Sequence, residues 1–414
     1  MRAAFRRRAG ALLMVSAMVA TAVAAEPRQP HLRPAQTTDE AGVWALSDKA
    51  EQQARQSAER NRDPALNAFI IGLVAKLSPE YQGDIRVYVM DRPFFNATMA
   101  PNGYTEVWSG LLLRAESEDQ LAFVLGHEIG HFAENHSIEA QRAAKARAQG
   151  VLALQIAVSV VAMGAAVNSG SAQGASDIMQ AAGSVNDLIY LSQISAFFSY
   201  SRENESQADE LGFRRATKAG FDPAAGAAIW QAQVSETSAS SFKKVRDQEA
   251  RGSIFSTHPL STDRIKALET LAAAAPKATA EDRKLYRAVI RPHLAAWLKD
   301  DLRRRDPGMS LALIDRLSAL GEDTGVLAYY RGEVYRQRRN ADDLAKAREA
   351  YAEAATQPDA PIATWRILGD LAAQAGDAPA ARTAYETYLT RSPQASDRWL
   401  IEASLKKLTE GTSS

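Results

Sequence analysis

Cysteine is absent from all 414 residues. Its absence excludes disulfides, thiol catalysis and a lipid-bearing N-terminal cysteine. A charge excess is missing too, since 49 basic and 49 acidic side chains give a formal net charge of +0. No global field draws the chain toward nucleic acid, and no nucleic-acid partner is expected. Long apolar runs are few. One, from Ala9 to Val23, is short for a membrane span; it follows Arg2 and Arg6 to Arg8 and ends in Ala24-Ala25. That is the pattern of a secretory signal peptide over residues 1–25, so a soluble mature protein exported to a bacterial periplasm is expected. Histidine is also scarce, six residues in all, and the positions of so few are informative.

Two of the six bracket a glutamate in His127-Glu128-Ile129-Gly130-His131. Residues four apart lie on one face of an α-helix, so both imidazoles can reach a single zinc ion. Glu128 points toward the open side of such an ion, where a carboxylate can take a proton from metal-bound water. Upstream, Ser117 is a natural helix N-cap with Gln120 as its capping-box partner, and Leu121, Val124 and Leu125 recur at helical spacing.

A catalytic zinc site commonly has three protein ligands and one open position, so a further donor is needed on a second element. The stretch Tyr200 to Asp209 reads as helix and places Glu205 and Asp209 four apart on one face. Glu205 would complete a His, His, Glu set for one Zn2+ per chain. Asp209 is suited to accept the outer N–H of a ligating imidazole and fix its tautomer. Glu203 competes for the ligand role but has no acidic partner at helical spacing. Ile85 to Met90 and Tyr104 to Trp108, rich in β-branched and aromatic residues, flank an Asn102-Gly103 turn signal and read as strands. An edge strand there could pair with an extended peptide. His258 precedes Pro259 in a loop before a helix near Ser261. His136 suits a structural or capping role, and His31 and His293 carry no recognisable context.

Between Ala148 and Ser176 there is no charged side chain, and Val151 to Val167 is apolar enough to suggest a membrane helix. A single crossing would separate His127 and His131 from Glu205, which must share their zinc. A hairpin would bury Asn186, Asp187 and Gln193 in lipid at high cost. Residues 151–200 are therefore read as two helices joined near Asn168 to Gly174 and packed on the catalytic core, with membrane-surface contact left open.

His127-Glu128-x-x-His131, Glu205-x-x-x-Asp209 and Ser256-Thr257-His258-Pro259 together resemble the zinc peptidase family that includes HtpX and the CAAX prenyl protease, over roughly residues 60 to 270. Asn96-Ala97, Ala100 to Tyr104 and Ser109 to Leu112 belong to the same likeness, with Asn102-Gly103 where family members usually carry two glycines. The resemblance is strongest to the soluble periplasmic branch typified by BepA. It implies a gluzincin-type metalloprotease domain of α+β class with a small sheet. It also implies that His258 lies at the zinc, either stabilising the oxyanion or ligating the metal in place of water. Clients among misassembled outer-membrane proteins, and contact with their assembly machinery, are implications of the same likeness.

Ala272 to Pro276 marks a boundary, so residues 26–275 are read as the peptidase domain and 276–414 as a helical repeat domain. Trp365, Leu368, Gly369, Ala381, Tyr385 and Pro393 fall at the spacings of a tetratricopeptide repeat. Gly332, Tyr335, Ala347, Tyr351 and Ala354 form a preceding unit with extra residues around Arg339 to Asp342, and helices between about 281 and 320 make a degenerate third. Each small residue lets two helices close together, and such units stack because none buries its apolar face alone. The expectation is a mainly α protein: an exported zinc endopeptidase that degrades misfolded envelope proteins, with repeats that bind clients or partners. The alternative is a periplasmic chaperone or assembly scaffold with a latent or structural zinc site.

Overall fold

The computed structural model describes residues 25–146, 200–250, 262–276 and 283–410. The signal-peptide pattern as far as residue 24, residues 151–199 and His258 lie outside them. The chain divides into two compact units. One comprises Met1–Ala25 and Glu139–Phe197, of which 139–146 are described as helix. The other, Glu26–Ile138 with Phe198–Ser414, carries every feature that follows.

That unit is mostly helical around one small sheet. Helices α1 (Asp39–Gln56) and α2 (Pro64–Leu77) precede strands β1 (Arg86–Met90), β2 (Ala97–Met99) and β3 (Tyr104–Trp108). Short α3 (Ser109–Arg114) leads into α4 (Glu118–Ala133), and α5 (Arg202–Lys218), α6 (Ala225–Ser238), α7 (Lys243–Ala250) and α8 (Thr262–Ala274) follow. The C-terminal helices are α9 (Arg283–Leu302), α10 (Pro307–Ser318), α11 (Thr324–Arg338), α12 (Asp343–Ala355), α13 (Ala363–Gln374), α14 (Ala378–Arg391) and α15 (Arg398–Glu410).

Local chemistry sets several of these boundaries. Asp63 caps α2 by accepting from Leu66 N–H at 2.8 Å, and Pro64 fills the first helical position, where no N–H is needed. Ser117 caps α4 through Gln120 N–H. The Gln120 side chain reaches one residue beyond the expected capping-box partner, accepting from Glu116 N–H at 2.9 Å.

Both strands read from sequence form, and a short third strand lies between them in the chain. The sheet order is β1-β3-β2, with β1 parallel to β3 and β2 antiparallel to it. The Asn102-Gly103 turn joins β2 to β3; it does not join the two strands read from sequence, because a three-residue strand intervenes. Gly103 has φ +83, and a Cβ there would lie 2.0 Å from the Asp84 carbonyl oxygen, so this position of the turn demands glycine. Asn102 takes an ordinary backbone conformation and uses its side chain to bind Asp48 at 2.7 Å and Tyr104 N–H at 3.0 Å.

Helix α4 packs against α2, β2, α5 and α6. Its apolar residues Leu121, Phe123, Val124, Leu125 and Ile129 belong to a core shared with Ile70 and Leu73 of α2. The same core extends through Tyr286, Trp297, Leu313, Leu327 and Val334, so α9 to α11 pack continuously on the helices around α4. Arg114, 1% exposed, ties this junction together by pairing with Glu236 of α6 at 2.7 Å and Asp301 of α9 at 2.6 Å. Removing one partner of such a buried cluster costs far more than its net contribution to stability, because the others are left charged and unpaired.

Two helix pairs follow. Glycine in the first helix of each meets a tyrosine ring of the second: Gly332 against Tyr351 and Gly369 against Tyr385. The tyrosine hydroxyls donate back to Glu333 at 2.6 Å and Asp370 at 2.8 Å. Among the described residues no helix is long and apolar enough to cross a membrane.

Candidate metal centre

The side chains of His127 and His131 project from the same face of α4, 1% and 0% exposed, with their Nε2 atoms 3.1 Å apart. The second element is α5. Its N-terminus is set by a reciprocal capping box in which Ser201 Oγ accepts from Asn204 N–H and Asn204 Oδ1 accepts from Ser201 N–H, each at 3.1 Å. The helix therefore starts at Arg202, two residues later than the sequence reading placed it.

Glu205, in the first turn of α5, is fully buried, whereas Glu203 is exposed. Glu205 Oε2 lies 3.6 Å from His127 Nε2, and its Oε1 lies 3.6 Å from His131 Nε2. Ligand atoms from His127, His131 and Glu205 all fall within 4.8 Å of one another. A tetrahedral zinc with bonds of about 2.0–2.1 Å separates its ligand atoms by roughly 3.3–3.4 Å. The observed spacings bracket that value, and two imidazoles with one carboxylate are a donor set suited to zinc, so the residues fit the ion.

Such closeness requires α4 and α5 to approach backbone to backbone. A Cβ on Gly212 would lie 2.7 Å from His127 N, and one on Gly126 would lie 3.0 Å from Gly212 O. The glycines bring the helices within reach of a single ion.

The outer sides of both imidazoles are engaged. His127 Nδ1 lies 3.0 Å from Asp209 Oδ1. Asp209 also pairs with Arg264 of α8 at 2.6 and 2.7 Å and accepts from Trp230 Nε1–H at 3.3 Å. Burial alone would raise the Asp209 carboxyl, but the Arg264 charge and its hydrogen bonds outweigh that and hold it at about 2. Arg264 further reaches Glu205 Oε2 at 2.7 Å, so one guanidinium contacts both carboxylates. His131 Nδ1 lies 2.9 Å from His136 Nδ1, and the Tyr200 ring stacks on His131 with centroids 3.8 Å apart. Glu128 is 3% exposed on the same helix.

Arg264, Trp230 and Tyr200 have no role in the sequence reading. The hydrogen bonds between Arg264 and Asp209 span 55 residues and have no local signature. His31 is exposed beside Asp84, and His293 stacks on Trp297; neither joins the cluster. Among the described residues β2 lies at one edge of the sheet and packs on α4, so the edge next to the histidine-bearing helix is a strand absent from the sequence reading.

The model of peptidase family M48 matches residues 62–272. Among curated relatives, a putative beta-barrel assembly-enhancing protease of Vibrio cholerae is 29% identical over 49% of this chain and 38% of its own. The beta-barrel assembly-enhancing protease of Escherichia coli is 26% identical over 53% and 42%. The mitochondrial metalloendopeptidase OMA1 of Schizosaccharomyces pombe is 28% identical over 44% and 45%. The chain spans less than half the length of each of these relatives.

Proposed function

The chain belongs to peptidase family M48, and on that premise we propose that it is an exported zinc-dependent endopeptidase. The observation that carries the reading is the buried convergence of His127, His131 and Glu205 from two helices. Zinc held there supplies a Lewis acid for the scissile carbonyl and acidifies the attacking water. The chain's own residues do the rest. His127, His131 and Glu205 would hold the ion. The Glu128 carboxylate takes the proton released on attack and returns it to the leaving nitrogen. Arg264 and Asp209 keep His127 oriented with Nε2 toward the ion. Strand β2, at an edge of the sheet, would pair with an extended substrate.

His258 is proposed, from the family resemblance, to act at the metal. Replacing it by Ala separates the two roles, with activity falling if it stabilises the oxyanion and rising if it ligates the ion. The likeness to the beta-barrel assembly-enhancing proteases of Vibrio and Escherichia favours misassembled envelope proteins as clients, and the signal-peptide pattern favours a periplasmic location. The helix pairs at Gly332 and Gly369 are proposed as tetratricopeptide-type units that bind client or assembly machinery.

Purified protein should cleave unfolded casein, lose activity to a chelator and regain it with Zn2+. Glu128→Gln should lower cleavage by at least about a hundredfold while keeping its zinc. Equal cleavage by both proteins would refute the base assignment. Absence of cleavage by a zinc-loaded wild type would favour the scaffold reading, or an enzyme held latent by His258.

A further inference from the structure

We propose that His136 is the positioning residue for His131, acting as a neutral acceptor at the head of a relay that ends on α5. The inference rests on the metal reading above and concerns what holds each imidazole once that reading is granted. His136 is 2% exposed and lies five residues beyond His131. Its Nδ1 is 2.9 Å from His131 Nδ1, and its Nε2 is 3.2 Å from Gln207 Oε1.

Proton positions along this line are fixed by its two ends. His131 Nε2 faces His127 Nε2 and Glu205, so as a ligand it must present a lone pair there and carry its proton on Nδ1. That proton is donated to His136 Nδ1, which must then be bare. His136 accordingly carries its proton on Nε2 and donates it to the Gln207 amide oxygen. Every donor meets an acceptor, with both rings neutral. His136 cannot itself be a ligand in this arrangement, because its Nδ1 sits against the outer nitrogen of His131, away from the ligand atoms.

The consequence is an asymmetry. His127 is backed by an anion, Asp209, which a cation balances. His131 is backed by a neutral ring. Helix α5 nevertheless governs all three corners, directly through Glu205, through Asp209 to His127, and through Gln207 and His136 to His131. The Tyr200 ring, 17° from parallel with His131, limits the remaining rotation of that imidazole, and its hydroxyl is held by Ser137 at 2.8 Å.

The test is zinc affinity by competition with a chromogenic chelator, together with thermal melts of the apo and zinc-loaded full chain. His136→Phe keeps the bulk and removes the acceptor; it should weaken zinc binding by roughly tenfold or more, in the range expected for loss of a group that orients a ligand. His136→Asn restores an oxygen near the Nδ1 position and should recover most of the affinity. Gln207→Leu should weaken binding by a few-fold. The apo melting temperatures of wild type and His136→Phe should stay close, with the loss appearing in the zinc-induced increment. Co2+ loaded into His136→Phe should show shifted visible bands relative to wild type. The proposal is overturned if His136→Phe binds zinc within twofold of wild type, if His136→Asn is no better than His136→Phe, or if the whole loss appears in the apo melt. Failure of the wild type to bind zinc would instead sink the metal reading beneath it.

Discussion

Between α4 and α5 glycine meets backbone, whereas between α11 and α12, and between α13 and α14, glycine meets a tyrosine ring. The Cβ that Gly212 lacks would press on His127 N at 2.7 Å, and the Cβ that Gly332 lacks would press on the Tyr351 ring at 2.6 Å. The distances are nearly equal, but the neighbours differ in what they can yield. Backbone in the middle of two packed helices cannot move without moving the helices. A ring can swing about its side-chain torsions and take a hydroxyl contact with it. At the candidate metal centre the tolerance would be set by the bond lengths of a bound ion, whereas in the helix pairs it is set by packing.

That contrast can be broken by two substitutions. Gly212→Ala should push α5 away from α4, take zinc content well below one per chain and abolish casein cleavage, with a stability loss of about 1–3 kcal/mol or more. Gly332→Ala should cost a similar or smaller amount of stability and leave zinc content and the cleavage of a short peptide unchanged. Metal analysis and thermal melts on the two variants decide it. Zinc loss in Gly332→Ala, or none in Gly212→Ala, would dissolve the distinction.

A smaller effect sharpens the comparison from the pH side. Glu51 is 5% exposed, and burial alone would raise its carboxyl. Hydrogen bonds from Arg86, Tyr88 and Arg55 outweigh that and bring it from 4.5 to about 2. A carboxyl lowered on folding stabilises above its unfolded value and loses that contribution as pH falls toward its folded value. Wild type should therefore lose more stability than Glu51→Gln between about pH 5 and pH 2. Parallel denaturant titrations of the apo forms, which remove the metal's own pH dependence, would check it; parallel declines would show that Glu51 contributes nothing.

What could be read in advance followed the range of the interaction. The face shared by His127 and His131, and that of Glu205 and Asp209, are consequences of helical periodicity within one element. The capping box of α5 was harder to see because Asn204 stands where Glu or Gln is usual. Strands β1 and β3 were legible, but β2 has three residues, too few for alternation to register, and the parallel pairing of β1 with β3 leaves no local trace. Arg264, Trp230 and the His136–Gln207 contact were illegible for the same reason. They are meetings of segments far apart in the chain, 71 residues in the last case, and only the packed helices bring them together. Gly332 and Gly369 were visible as small residues at helical spacing, but the rings they admit became known only from the fold.

His127, His131 and Glu205 are proposed to grip one ion. Anomalous diffraction from crystals of the full chain at the zinc absorption edge tests it most directly. One strong peak is expected about 2.0–2.2 Å from Nε2 of both histidines and from a Glu205 oxygen. A peak elsewhere, or none at that position in protein carrying stoichiometric zinc, would contradict it.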